Sequence, residues 1–178
     1  MRIRNRTILA IFTIAAAALS GCRNAESTAS IPAVRPFDAE RYLGTWYEIA
    51  RLPHSFERDM TRVTAVYTAR KDGGIDVLNS GWRDGEHRTA RGRARFLGDS
   101  TVGELEVSFF GPFYGQYRII ALAPDYSSAM VTGSSRDYLW ILARESTLPP
   151  ETFRQYKEQA AKLGFDVAAL EYPNGRPE

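Results

Sequence analysis

A single cysteine, Cys22, occurs in 178 residues, so no internal disulfide forms and a multi-cysteine metal site is excluded. Histidine is nearly as scarce. His54 and His87 stand alone with no ligand spacing around them, and neither a metal nor any other cofactor is expected. A Gly-x-Ser-x-Gly elbow is missing, and no Ser, His and Asp constellation is recognisable, so nothing is nominated for nucleophilic catalysis. No apolar run reaches the roughly 20 residues of a spanning helix. An excess of one charge is lacking as well. The formal net charge is +2, but Arg2, Arg4 and Arg6 open the chain; without them 20 Lys and Arg face 21 Asp and Glu, a net −1. A nearly neutral domain has no electrostatic reason to hold nucleic acid. With 25% charged residues the chain has the composition of a folded protein.

The chain begins with a basic segment, Met1–Arg6, and an apolar run rich in Ala and Ile, Thr7–Leu19. This pattern reads as a secretory signal. Its end, Leu19–Ser20–Gly21–Cys22, resembles the bacterial lipobox, in which small residues fit a peptidase cleft and the thiol takes the lipid. The resemblance implies a signal peptide over residues 1–21 and lipidation at Cys22. Each buried methylene of the acyl chains adds about 0.8 kcal/mol, so more than one long chain anchors stably. Arg23 follows the cysteine where an Asp would favour inner-membrane retention. That implies a lipid-anchored protein of the cell outer membrane, facing the periplasm. Residues 22–36 read as a lipidated tether, because Asn24–Pro36 is rich in Ser, Ala and Pro without periodicity.

Eight strand-like runs follow at short spacing: Gly44–Leu52, Arg62–Arg70, Ile75–Trp82, His87–Leu97, Gly103–Phe110, Gly115–Ala123, Ser128–Ser134 and Asp137–Arg144. In the second, Val63, Ala65 and Tyr67 alternate with Thr64, Val66 and Thr68; Lys71–Gly74 is a hairpin signal. No helical pattern interrupts the runs, which excludes parallel βαβ units. The expected fold is all-β, an eight-stranded antiparallel up-and-down barrel that leaves no free edge. After the strands, Pro149–Leu163 reads as one α-helix packed outside the barrel. Its apolar stripe is Phe153, Tyr156, Ala160 and Leu163, with Pro at its start and Gly164 at its end. Phe165–Leu170 is expected to add a short final strand. The barrel domain then covers residues 37–172, and 173–178 form a polar tail.

Arginines 91, 93 and 95 line one face of the fourth run, and Glu104 and Glu106 one face of the fifth. A hairpin sets these faces side by side, an exterior ladder of ion pairs worth roughly 0.2–1 kcal/mol each and needing no ligand.

Gly44–Thr45–Trp46 at the first strand, Pro124–Asp125–Tyr126 between the sixth and seventh, and Arg144 closing the eighth resemble the lipocalin signature in order. Phe37–Arg51, Val107–Gly115 and Arg136–Leu142 extend the similarity to bacterial, outer-membrane members of that family. The resemblance implies a calyx open at one end that binds fatty acids or lysophospholipids for storage, transport or maintenance of envelope lipids. It also implies that Gly44, Trp46, Asp125, Tyr126 and Arg144 are structural and sit at the closed end. Strand alternation from Trp46 puts Glu48 and Ala50 on the inner face, and Trp140 shares a face with Arg144. Phe56, Phe113 and Tyr114 belong to loops at the mouth. The candidate ligand-binding set is therefore Glu48, Ala50, Phe56, Phe113, Tyr114 and Trp140. A carboxylate inside a calyx is costly unless paired, so Glu48 is expected to meet Tyr or Arg or to have a raised pKa, and to orient a headgroup or water. The competing readings are a structural surface lipoprotein without specific cargo and, more remotely, a lipocalin-type enzyme; the enzyme reading is set aside because Cys22 is consumed by the lipobox. A homodimer is compatible with the pattern but not implied by it.

Overall fold

The computed structural model describes residues 26–175 and 177; the leader over 1–21 and Cys22 lie outside them. Eight antiparallel strands close into one barrel in chain order. They are β1 (Gly44–Arg51), β2 (Thr61–Ala69), β3 (Ile75–Arg83), β4 (Glu86–Phe96), β5 (Glu104–Phe110), β6 (Phe113–Leu122), β7 (Ser128–Thr132) and β8 (Leu139–Ala143). A short helix, α1 (Ala39–Tyr42), precedes β1, and α2 (Pro150–Lys162) follows β8. The side chain of Asp38 caps α1 by accepting from the Glu40 and Arg41 amides. Connections at 70–74, 97–103 and 123–127 share one end of the barrel with α1. Those at 52–60, 84–85, 111–112 and 133–138 share the other.

Period-2 alternation builds two cores. Inward residues, among them Trp46, Tyr67, Val77, Leu105, Ile119 and Val131, form the inner one. The outer one joins Ile49, Met130 and Ile141 to Phe153 and Ala160 of α2, and Tyr156 and Ser128 share a 3.0 Å hydroxyl bond. Each aliphatic side chain buried in this layer contributes about 1.5–3 kcal/mol. The end of α2 is fixed by sequence: Gly164 takes φ +86°, its amide donates to Ala161 O, and Phe165 donates to Ala160 O. That is a Schellman closure, with Phe165 packed in the outer core.

Four local expectations fail. Val167–Ala169 is a 3₁₀ turn rather than a strand, because Asp166 accepts from the Ala168 amide and holds the turn. The segment read as a tether lies against the barrel from Glu26 onward: Thr28 and Ile31 are buried, and Val34 donates to Ile119 O. Its anchor is Arg118, whose Nη1 donates to the carbonyls of Thr28 (2.7 Å) and Ile31 (2.9 Å). The tail is likewise engaged. The β1–β2 ladder runs only from Gly44 to Tyr47 on the first strand, and Asn174 then bridges Glu48 O and Val63 O at 3.0 and 3.3 Å. Finally, the β4–β5 register opposes Arg95 to Glu106 but Arg93 to Ser108, so the ladder is a single rung. Glu104 instead pairs with Arg118 on β6.

Candidate functional site

At the closed end Trp46 is fully buried, its Nε1 donating to Tyr42 O at 2.8 Å. The Arg144 guanidinium covers the indole, 4.0 Å from the ring centroid. Gly44 sits at φ +94°, and a Cβ there would come within 3.3 Å of Arg144 Nη1, so a side chain would both strain the backbone and crowd the arginine. Asp125 accepts from the amide and hydroxyl of Ser127 and holds the turn. Tyr126, at φ +63°, accepts the Asp38 amide on its hydroxyl and carries Arg41 over its ring. These five residues build the floor, and none of them lines the space above it.

That space is a cavity of about 110 Å³ with apolar walls that include Val77, Leu105 and Leu142. Gly92 makes room on the wall: a Cβ there would lie 2.9 Å from the Phe109 ring, which reaches into the cavity. Toward the floor stand three tyrosines, with the Tyr117 hydroxyl 2.8 Å from that of Tyr42 and 2.9 Å from that of Tyr67. Burial pushes all three phenols above their ordinary pKa, so they remain neutral donors and acceptors.

Glu48, Glu57, Phe56 and Trp140 line the opposite side of the cavity. Arg51 joins Glu48 through an irregularity. Pairing between β1 and β8 shifts between Glu48 and Ala50, so Ile49 and Ala50 both face outward and Arg51 turns in with Glu48. Ala50 is therefore removed from the ligand-binding set; it is packed beneath α2. Arg51 Nη1 donates to Glu48 Oε1 at 2.8 Å, Nη2 to Glu57 O at 2.7 Å, and Nε to Glu171 at 3.1 Å. Burial raises the Glu48 pKa well above the usual carboxylate range, and the charge of Glu57 adds to it against the pull of Arg51. Glu57 goes the other way. Burial opposes its charge, but His54, the Trp140 indole N–H at 3.2 Å and Arg51 together hold it below its ordinary value. The two carboxyls are thus pushed in opposite directions, Glu48 toward its protonated form and Glu57 toward its ionised form.

Phe56 is 59% exposed and stacks on His54 at 3.8 Å. Phe113 and Tyr114 lie on the rim outside the cavity lining; Tyr114 holds the Arg95 guanidinium over its outward ring at 4.2 Å. Tyr67 and Tyr117 were open to discovery by strand alternation. Arg51 was not, because residues three apart face opposite sides of a regular strand.

The lipocalin-like domain family matches residues 37–175, and the chain belongs to the lipocalins, a family of binding proteins for small hydrophobic molecules. The outer membrane lipoprotein Blc of Citrobacter freundii is 47% identical over 151 residues, 84% of this chain and 85% of that one. The protein of the same name from Vibrio cholerae is 45% identical over 167 residues, 92% and 96% of the two chains. These relatives locate the chain at the outer membrane. Among solved structures, insecticyanin from the tobacco hornworm Manduca sexta matches with a TM-score of 0.67 at 20% identity, over 80% of this chain and 83% of that one, and shares the fold.

Proposed function

We propose that the chain carries a single-chain lipid of the cell envelope, acyl chain in the barrel and headgroup at the mouth, for storage, transport or maintenance of membrane lipid. The observation that carries this reading is an apolar cavity whose lining includes two carboxyl side chains, Glu48 and Glu57, and no basic one. A fatty-acid carboxylate stationed at the mouth meets charge of its own sign. An ammonium headgroup meets Glu57 and the faces of Phe56 and Trp140, and cation–π contacts of this kind contribute about 0.5–2 kcal/mol. Lysophospholipids bearing ethanolamine or choline therefore fit better than free fatty acids. Glu48, tied to Arg51 and lining the cavity beside Glu57, orients the headgroup.

In this reading Cys22 bears the anchor. Glu26 is four residues further on, so the intervening chain spans at most about 14 Å. Ser27 bridges to Ser135 in the β7–β8 connection, at the mouth. The anchor thus turns the mouth toward the membrane, where Phe56, Phe110 and Phe113 project from the rim. A periplasm-facing lipoprotein held this way loads and unloads lipid without leaving the bilayer surface.

The test is a fluorescence titration of the chain from Arg23 onward with lysophosphatidylethanolamine, lysophosphatidylglycerol and the fatty acid of the same chain length. Saturable binding with the ethanolamine lipid tightest is the expected result. Tightest binding of the fatty acid refutes the headgroup assignment, and no saturable binding at all favours a structural surface lipoprotein without cargo.

A further inference from the structure

The three tyrosines at the cavity floor have one proton too many for their own bonds. Their hydroxyls make two contacts, Tyr42 to Tyr117 and Tyr67 to Tyr117. Three hydroxyls bring three protons. If Tyr42 donates to Tyr117 and Tyr117 to Tyr67, the Tyr67 proton is left over; reversing the chain leaves that of Tyr42; if both donate to Tyr117, its own proton is left. Every arrangement strands one donor, and no further acceptor for these hydroxyls occurs among the described residues. Tyr42 is only 2% exposed and Tyr67 8%. All three line the cavity. A stranded O–H in an apolar, buried site is costly.

The charge around the triad says what kind of acceptor suits it. The phenols stay neutral, and the Arg144 guanidinium, held over the Trp46 ring, is turned to backbone carbonyls. A carboxylate brought to the floor would have one hydrogen bond and no ion-pair partner, the Arg144 donors being committed to carbonyls, which does not offset its desolvation. A neutral oxygen fits: it accepts the spare proton, and if it is a hydroxyl it donates in turn to a free lone pair on the triad.

We infer that Tyr42, Tyr67 and Tyr117 form a subsite for a neutral oxygen, a hydroxyl or carbonyl, carried at the far end of the acyl chain. This rests on the reading that the barrel holds such a chain. The deep end then distinguishes oxygenated from plain hydrocarbon chains, while the mouth reads the headgroup.

The experiment uses the chain from Arg23 onward, which contains the whole closed barrel and the amino-terminal strap, residues 26–36, laid against it. The probes are alkyltrimethylammonium ions of several lengths, each paired with its ω-hydroxy counterpart and titrated by calorimetry. Tyr42→Phe/Tyr67→Phe/Tyr117→Phe removes three oxygens and keeps the ring shapes. At the length that reaches the floor, the native chain is expected to bind the hydroxylated probe at least as tightly as the plain one. The triple variant should favour the plain probe by a ratio shifted at least about tenfold, the effect of burying one hydroxyl without partners. Tyr117→Phe alone, which breaks both contacts but leaves two hydroxyls, should shift the ratio less. An identical ratio in native and triple-variant chains overturns the subsite while leaving lipid carriage intact. Failure of both probes to bind the native chain removes the carrier reading and the subsite with it.

Discussion

Arg144 lies over the ring of Trp46, 4.0 Å from its centroid, while its N–H groups reach three backbone carbonyls. Nη1 donates to Thr45 O at 2.9 Å, Nη2 to Arg41 O at 2.7 Å, and Nε to Tyr126 O at 3.3 Å. One side chain therefore ties the start of β1, the end of α1 and the β6–β7 turn to the indole that fills the floor. Trp46→Ala should cost about 3–5 kcal/mol in urea unfolding, the range for a large buried aromatic. Lipid affinity of the folded fraction should be unchanged, since Trp46 does not line the cavity. Loss of lipid binding with stability untouched would place Trp46 in the binding site instead.

The amino-terminal strap depends on a cation in the same way. Arg118 is 7% exposed; it donates to Thr28 O and Ile31 O and pairs with Glu104. Breaking a fully buried pair costs roughly 3–5 kcal/mol. Glu104 keeps some solvent access, so Arg118→Met should cost less, about 2–3 kcal/mol. The more specific expectation is local: proteolysis between residues 26 and 36 should accelerate before the barrel unfolds. Cleavage sites mapped by mass spectrometry that fall outside the strap would show that Arg118 does not hold it.

The strap and the floor mark the two extremes of what the amino-acid sequence reveals. Trp46, Arg144 and the eight runs are legible because period-2 alternation and turn residues are local signals. The outer helix is legible for the same reason, its stripe of Phe153, Tyr156 and Ala160 being buried as expected. The strap is not. Thr28, Ile31 and Val34 are isolated among Ser, Ala and Pro, and their partners lie about 70 to 105 residues away in the chain. The site divides similarly. Glu48, Phe56 and Trp140 line the cavity, as their positions in the chain suggest. The partners that set its charge required the shift in pairing at Ile49 and Ala50, for which no residue in β1 is a signal. That same shift is why alternation misplaced Ala50.

Glu48 gives the stability of the fold a pH dependence with a definite sign. Burial and Glu57 raise its pKa in the folded chain. The folded state therefore retains a proton that the unfolded state has already lost. Stability from this group is complete below the ordinary glutamate value, about 4.3, and is lost as pH rises through the higher folded value. Glu57, whose pKa is lowered, acts in the opposite direction and only below its ordinary value. Glu48→Gln should thus gain on the native chain as pH rises from about 5 to 8, because Gln never ionises. Urea midpoints measured across that range check it. A constant difference would mean that Glu48 is ionised throughout, neutralised by Arg51.

The rim supplies the last prediction. Phe110 and Phe113 face each other across the β5–β6 hairpin, with Gly111 and Pro112 at its tip, and they are 82% and 79% exposed. Neither supports the core, so Phe110→Ser/Phe113→Ser should change stability by no more than about 0.5 kcal/mol per site. If the mouth faces the bilayer, these rings dip into it, and exposed apolar groups of this kind mark membrane or partner contacts. The double variant should therefore transfer a fluorescent lysolipid to vesicles several-fold more slowly, at unchanged affinity. Leu97, half exposed in the β4–β5 connection at the closed end, is the control; Leu97→Ser should leave the rate as it was. Equal transfer rates for all three chains would detach the rim from delivery, and slowing by Leu97→Ser alone would turn the barrel over, with its floor against the membrane.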